Sequence, residues 1–225
     1  DTVSLPSPFP RENRLIIAVD EVDTTYRARH LWYGRIAELV AELAPSDRNA
    51  LVLFPSYAFL QEVASRLVAP GHRVEVQRGD DSDRLRNEML ARLRTNHEPV
   101  LLLAVLGGVF AEGVDYPGEM LSEVMVVSPA LPQVGPEREL LKQYFDDRYE
   151  RGFEYAYLIP GMTRVIQAAG RLIRSAEDRG VIALVCRRFL AEPYVSLLPA
   201  DWTAGDPASL RSQDPAADVR AFFLA

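Results

Sequence analysis

The chain has 225 residues, of which 48% are hydrophobic, and a formal net charge of -7 at pH 7. This composition is typical of a globular protein with a substantial core, and it excludes the disordered and fibrous classes. The acidic balance also excludes a wholly basic nucleic-acid binder, so any contact with DNA or RNA must be local.

The opening of the chain, residues 1–14, contains three prolines between Leu5 and Pro10 and is predicted to be a linker that enters a domain. Because the sequence begins at Asp1 rather than at methionine, we expect it to be a piece of a longer protein.

Six short runs rich in leucine or β-branched residues follow and are predicted to be buried parallel strands. They are Leu15 to Val19, Ala50 to Phe54, Val74 to Gln77, Val100 to Val105, Val124 to Ser128 and Val181 to Cys186. Amphipathic segments with helical spacing lie between several of them, for example from Trp32 to Leu43. This alternation predicts an α/β fold with a mainly parallel sheet covered by helices on both faces.

In such folds, ligands bind beyond the carboxyl ends of the strands. After the first strand, the run from Asp20 to Asp23 superficially matches the D-E-x-D pattern that holds magnesium in motor ATPases. Because no P-loop precedes it, a solvated acidic turn is the favoured interpretation.

The fourth strand is followed by a segment with glycines at positions 107, 108 and 113 and a carboxylate at Asp115. The spacing does not match the G-x-G-x-x-G dinucleotide fingerprint. Gly113 and Asp115 could approach a ribose or a phosphate, and the alternative is a set of turn glycines with a capping aspartate.

A helix predicted from Met162 to Arg174 carries Arg164, Gln167, Arg171 and Arg174 on one face and apolar residues on the other. Guanidinium groups on one stripe repel each other unless an anion lies in front of them, so the stripe predicts a polyphosphate site. Gly170 is predicted to lie inside this helix, where close approach of a ligand or a backbone would explain it. The alternative is a solvated arginine face paired with acidic residues of neighbouring segments.

Several signatures are absent from the sequence. Lys142, the sole lysine, does not follow a glycine-rich turn, so the chain has no P-loop. Cys186 is the sole cysteine and lies in an apolar run, which predicts a buried thiol and excludes a cysteine-based zinc or iron–sulfur site. No metal site is expected. No run approaches 18 apolar residues, so we expect a soluble, cytoplasmic protein without membrane contact.

Three segments in order resemble motifs IV, V and VI of the C-terminal motor domain of superfamily 2 DNA helicases of the XPD and DinG type. They are Phe54-Pro55-Ser56-Tyr57, Gly108 with Ala111-Glu112-Gly113-Val114-Asp115, and Gln167-Ala168-Ala169-Gly170-Arg171-Leu172-Ile173-Arg174, with Asp178-Arg179-Gly180 at the following turn. The resemblance extends over roughly residues 5 to 202. It implies a second RecA-like domain over residues 15–202, a three-layer sandwich that lacks its own P-loop. Residues 1–14 would then be the linker from a missing first motor domain, and 203–225 a C-terminal tail with a short docked helix.

The resemblance also implies roles for individual residues. ATP and Mg²⁺ would be shared with the first domain of the same polypeptide, Arg174 would be the arginine finger, and Arg171 would be a companion catalytic contact. Further ATP-site contacts would come from Gln167, Gly113, Asp115 and Gly170. Single-stranded DNA would be touched by Ser56, Tyr57 and Gly108. Family members also carry an iron–sulfur cluster in the first domain, which this chain cannot hold.

The resemblance therefore predicts half of an ATP-dependent DNA helicase with a role in DNA repair, inert as an ATPase alone. The alternative is a RecA-like module that has lost its motor and only binds a protein or a nucleic acid. Residues 135–153, rich in charges of both signs, receive no predicted role.

Overall fold

The computed structural model describes residues 8–95 and 98–225. Six strands in this part of the chain form one sheet in which every neighbouring pair is parallel, in the order β1-β6-β5-β2-β4-β3. The strands are β1 (Arg14–Val19), β2 (Ala50–Phe54), β3 (Arg73–Val76), β4 (Val100–Val105), β5 (Glu123–Val127) and β6 (Gly180–Val185). The six predicted strands are confirmed, and each end differs from its prediction by no more than one residue. The predicted burial is wrong for β3, which lies at an edge of the sheet and exposes Arg73 and Val74.

The helices of the described residues connect and cover the strands. They are α1 (Tyr33–Leu43), α2 (Tyr57–Ala64), α3 (Asp83–Thr95), α4 (Val109–Glu112), α5 (Pro136–Tyr149), α6 (Ile159–Ala169), α7 (Ala200–Thr203) and α8 (Pro215–Leu224). A π-helical turn, Glu154–Leu158, leads directly into α6. No described helix combines the length and the apolar character required to span a membrane.

The sheet lies between two apolar layers because successive side chains of a strand point to opposite faces. In β2, Leu51 and Leu53 pack into one layer with α3 and α6, whereas Val52 and Phe54 pack into the other with α1 and α2. All five residues of β2 are buried. The predicted three-layer α/β sandwich is confirmed.

The predicted helix through Arg174 is wrong at its carboxyl end. Helix α6 ends at Ala169, and Gly170 is the capping residue, with its N–H bonded to the Ile166 carbonyl at 2.8 Å. Two causes end the helix at this point. Glycine is the weakest helix former apart from proline, and the Asp178 carboxylate accepts hydrogen bonds from the backbone N–H groups of Arg174 and Ser175 at 2.8 Å each. Arg171 and Arg174 therefore lie in the turn after the helix, and Gly170 does not lie inside it.

The ends of the chain pack on this body where the structure describes them. Arg14, counted in the predicted linker, is the first residue of β1, and residues 1–7 of that linker lie outside the described residues. In the segment 203–225, Leu210 is buried, and α8 places Val219 against the core beside α1. The predicted tail thus includes a short helix packed on the domain.

Helix α5 differs from the other long helices because none of its residues is buried. It leans on the segment that follows it: Phe145 packs on Tyr155 with ring centroids 5.0 Å apart, and the Tyr157 hydroxyl donates to Glu139 at 2.6 Å. The segment 135–153, for which the sequence predicts no role, thus consists mainly of this helix and the turn after it.

Candidate functional site

Helix α6 is amphipathic in the way the sequence predicts. Its apolar face buries Met162, Val165 and Ala169, while Arg164 and Gln167 on the opposite face are exposed. Beyond the helix end, Leu172 and Ile173 are also buried and hold the following turn against the core. The buried face fixes the helix, and Gln167 and the turn are presented on the surface.

Arg171 and Arg174 converge on one carboxylate of the glycine-rich segment. The Arg174 Nη1 lies 2.5 Å from the Asp115 Oδ1, and the Arg171 Nη1 lies 3.6 Å from the same atom. Arg164 also approaches Glu112, with 4.0 Å between Nε and Oε1. The ion pairs of the alternative interpretation are therefore present in the structure.

These pairs lie at the surface. The Asp115 side chain is 70% exposed and that of Arg174 is 43% exposed. Exposed ion pairs of this kind contribute roughly 0–1 kcal/mol to stability. A phosphate group, which accepts bidentate hydrogen bonds from arginine, can therefore compete with Asp115 for the Arg174 guanidinium.

Arg171 is held more firmly than Arg174. Its Nη1 donates to the Val114 carbonyl at 2.9 Å, and its Nη2 donates to the Glu112 carbonyl. Its side chain is only 24% exposed. Arg171 thus ties the turn after α6 to the segment after α4, and this connection brings Asp115 next to Arg174.

Asp178 is a positioning residue, which the sequence analysis named only as part of the turn after motif VI. Its carboxylate accepts from the N–H groups of Arg174 and Ser175, and the Ser175 Oγ in turn accepts from the N–H groups of Glu177 and Asp178 at 3.2 Å. This closed turn fixes the backbone from which the Arg174 side chain projects. A serine followed three residues later by an aspartate is the signal that predicts such a turn.

The three glycines of the segment after β4 have local structural reasons. Gly107 has φ +81°, a conformation that favours glycine. A Cβ on Gly108 would lie 3.0 Å from the Val105 carbonyl oxygen, and one on Gly113 would lie 3.0 Å from the Val109 carbonyl oxygen. The local backbone is therefore sufficient to explain why glycine occupies these three positions. The roles of Gly108 and Gly113 toward a ligand stay predictions.

Ser56 and Gly108 lie at the same edge of the sheet because β2 and β4 are adjacent parallel strands. The Leu106 N–H donates to the Phe54 carbonyl at 2.8 Å just beyond the strand ends. The Ser56 Oγ caps α2 by accepting from the Phe59 N–H at 3.2 Å, and Tyr57 is 38% exposed. The structure thus brings Ser56, Tyr57 and Gly108 to one edge, and α4 connects this edge to Asp115.

The acidic run after β1 is paired with arginines. Asp20 lies 2.9 Å from Arg211, and Glu21 lies 3.0 Å from Arg35. Within residues 8–95 and 98–225, no group of three or more histidine, cysteine, aspartate or glutamate residues is arranged to hold a metal ion. The favoured interpretation of this run as an acidic surface turn agrees with these contacts.

Cys186 is buried at the end of β6, with its Sγ 3.0 Å from the Thr24 Oγ1. The prediction of a buried thiol is confirmed.

Comparison with known proteins finds sequence and structural relatives among helicases. The helicase C-terminal domain family matches residues 39–205. The ATP-dependent DNA helicase YoaA of Escherichia coli is 29% identical over 233 residues, covering 100% of this chain and 34% of YoaA. The ATP-dependent DNA helicase XPD of Sulfolobus acidocaldarius is 27% identical over 167 residues, covering 72% of this chain and 29% of that protein.

Among solved structures, an XPD helicase superposes with a TM-score of 0.69 and 24% sequence identity, covering 82% of this chain and 33% of that chain. This likeness shows the RecA-like fold. The chain spans about a third of the length of the relatives it matches.

Proposed function

This chain belongs to the helicase C-terminal domain family, in the branch of the XPD- and DinG-like helicases, and we propose that it closes an ATP site shared with a first motor domain. The 225 residues contain no P-loop, so the phosphate cradle and the Mg²⁺ ligands of such a site belong to the other domain. The contribution of this chain is positive charge directed at the γ-phosphate. Hydrolysis of ATP by this chain alone is not expected.

Arg174 is the arginine finger in this proposal. The observation that carries it is the position of Arg174: its backbone is fixed by Asp178, while its guanidinium is exposed and pairs with the surface carboxylate of Asp115. A fixed backbone with an exchangeable counterion suits a side chain that must meet a phosphate delivered by another domain. Such an arginine stabilises the charge that develops in phosphoryl transfer.

The remaining predicted contacts of motifs V and VI surround Arg174. Arg171, with two backbone carbonyls as partners, is proposed to hold motif V against motif VI, and its remaining N–H groups are proposed to contact phosphate. Gln167 and Gly170 are exposed and are proposed to line the site. Gly113 and Asp115 are proposed to lie near the ribose or at the domain interface.

Single-stranded DNA is proposed to run over the edge that carries Ser56, Tyr57 and Gly108. Backbone N–H groups and hydroxyls can hold phosphates without reading sequence, and an exposed tyrosine can stack on a base. Because the chain is acidic overall, most of the electrostatic attraction for DNA is assigned to the rest of the polypeptide.

The test is the variant Arg174→Ala in the full-length protein that carries this chain. We expect ATP turnover on single-stranded DNA to fall by about 10³- to 10⁵-fold, because the transition-state charge loses its partner. Binding of a fluorescent ATP analogue should stay close to that of the wild type, since the other domain supplies most of the binding. Phosphate release and analogue titration measure the two quantities.

Arg84→Ala is the matched control, because Arg84 is also an exposed arginine in an ion pair, with Glu88 on α3. It should leave turnover unchanged. Normal turnover by Arg174→Ala would remove Arg174 from the site. Brisk hydrolysis of Mg-ATP by the 225-residue chain alone would contradict the shared site and with it the proposal.

A further inference from the structure

A second surface at the carboxyl edge of the sheet has the chemistry of a nucleic-acid contact. The loop from Asp23 to Leu31 follows β1 and exposes Tyr26, Arg27 and His30; the Tyr26 side chain is 82% exposed. The carboxyl ends of parallel strands meet at one edge, so this loop emerges at the edge where Ser56 and Gly108 lie. We call Tyr26, Arg27 and Arg29 the β1-loop surface.

This surface is continuous with the segment that carries Ser56. The Arg29 Cζ lies 4.6 Å from the ring centroid of Tyr26 and 5.9 Å from that of Phe59. Phe59 belongs to the first turn of α2, and its N–H donates to the Ser56 Oγ. Arg29 therefore connects the exposed tyrosine to the helix that follows motif IV.

The arginines of this surface differ from the neighbouring Arg35 in their ion-pair partners. Arg35, on the adjacent helix α1, contacts the carboxylates of Glu21, Glu38 and Glu42. In the described part of the chain, no carboxylate makes an ion pair with Arg27 or Arg29. In a chain with net charge -7, this is a local patch of uncompensated positive charge, which favours an anionic partner.

The loop is held in one conformation by its own contacts. The Asp23 Oδ1 accepts from the Thr25 N–H at 2.9 Å, and the Thr25 carbonyl accepts from the N–H groups of Ala28 and Arg29. At its base, the Arg188 Nη2 donates to the buried Thr24 Oγ1 at 3.0 Å. A pre-organised loop loses little conformational entropy when it binds.

We propose that the β1-loop surface binds single-stranded nucleic acid, with Arg27 and Arg29 at backbone phosphates and Tyr26 stacked on a base. The inference rests on the proposed DNA track at Ser56, Tyr57 and Gly108 and extends it across the edge of the sheet to β1. Arginine beside an exposed aromatic ring is the combination with which proteins hold single strands without reading sequence. A nucleic acid is favoured over a protein partner, because the exposed Tyr26 is accompanied by Arg27 and Arg29, which form no ion pair among the described residues.

The experiment measures binding of fluorescein-labelled oligo(dT) to the full-length protein by anisotropy over a series of salt concentrations. Tyr26→Ala should weaken binding by about five-fold or more, as expected for loss of one base stack, and should leave the salt slope unchanged. Tyr26→Phe should restore the affinity because it keeps the ring. Arg27→Ala should make the negative slope of log K against log[salt] shallower by about 0.7, as expected for one lost phosphate contact on a single strand.

Arg220→Ala is the matched control, because Arg220 is an exposed arginine on α8 that lines a cleft with Arg48, at the opposite edge of the sheet. It should change neither affinity nor slope. If Tyr26→Ala and Arg27→Ala both bind like the wild type while Tyr57→Ala binds more weakly, the β1-loop inference is overturned and the proposed DNA track stands. If the wild type does not bind oligo(dT), the proposed DNA contact fails and this inference fails with it.

Discussion

At the scale of single residues, Arg171 and Arg174 carry the same charge but have different surroundings. The Arg171 side chain donates to two backbone carbonyls and is 24% exposed. The Arg174 side chain is 43% exposed and pairs with the exposed carboxylate of Asp115. The sequence presents them as equivalent members of one stripe. Their difference depends on where the segment after β4 lies, which no local pattern near Arg171 reveals.

Glu123 is a second residue whose behaviour follows from its position. It is the first residue of β5 and is fully buried, and neither of its carboxylate oxygens has a hydrogen-bond partner among the described residues. Burial disfavours the charged form, so it raises the pKa of the Glu123 carboxyl well above its ordinary value of 4.5.

This raised pKa makes the stability of the domain depend on pH. Above pH 4.5 the unfolded chain releases a proton that the folded chain retains, so the free energy of unfolding falls as pH rises toward the folded pKa, by up to about 1.4 kcal/mol per pH unit. Glu123→Gln replaces the carboxyl with an amide, which does not titrate, and so removes this pH dependence. We expect its free energy of unfolding, relative to the wild type, to be higher at pH 7 than at pH 5, as measured by urea denaturation. An equal difference at the two pH values would show that Glu123 ionises freely in the fold.

At the scale of elements, the strands were predictable because each is a short run rich in leucine or β-branched residues, and amphipathic segments separate several of them. The run from Val100 to Val105 coincides with β4, and the apolar face of α6 was correct as far as Ala169. The helix end was not predictable from the periodicity, which continues through Leu172 and Ile173. These side chains are buried because Asp178 shapes the turn, and not because the helix goes on.

The candidate site was predictable in its parts and not in its assembly. The motifs located Asp115, Arg171 and Arg174, but the contact between them depends on tertiary packing of α4 against α6. The β1-loop surface was not predicted, because the contact between Arg29 and Phe59 joins residues 30 positions apart in the sequence.

The junction between β6 and the turn that follows α6 (residues 170–179, here called the motif VI turn) is tightly packed. A Cβ on Gly180 would lie 2.7 Å from the Leu172 side chain and 2.8 Å from the Ser122 carbonyl oxygen, which accepts the Val181 N–H. We expect Gly180→Ala to lower the free energy of unfolding by about 1–3 kcal/mol, because the backbone must shift. Urea denaturation of the 225-residue chain measures the change.

Gly34→Ala is the control for this variant. Gly34 lies in α1, and a Cβ there would meet nothing within 4 Å. The substitution should raise the free energy of unfolding by about 0.5–1 kcal/mol through helix propensity. If Gly180→Ala proved as stable as the wild type, the close packing of the motif VI turn on β6 would not be a constraint on the fold.

At the scale of the whole molecule, the proposed nucleotide and DNA contacts lie on one domain built around a single sheet. A single segment, Gly108 to Asp115, begins at the edge with Ser56 and ends against Arg174. The sheet and its two apolar layers support both ends of that segment. The acidic surface includes the carboxylates around Arg35 on α1.

Helix α5 buries less surface against the rest of the domain than the other long helices do. No residue of α5 is buried, and its ring contacts are with the turn that follows it in the chain, so opening it exposes little of the core. Segments of this kind open locally at a small fraction of the global unfolding free energy. We expect the backbone amides of α5 to exchange with deuterium much faster than those of α6 in the 225-residue chain, as measured by mass spectrometry. Equal protection of the amides of α5 and α6 from exchange would mean that α5 unfolds only when the whole domain unfolds. Faster exchange in α5 would make this helix the first place at which a protease can cut the native domain.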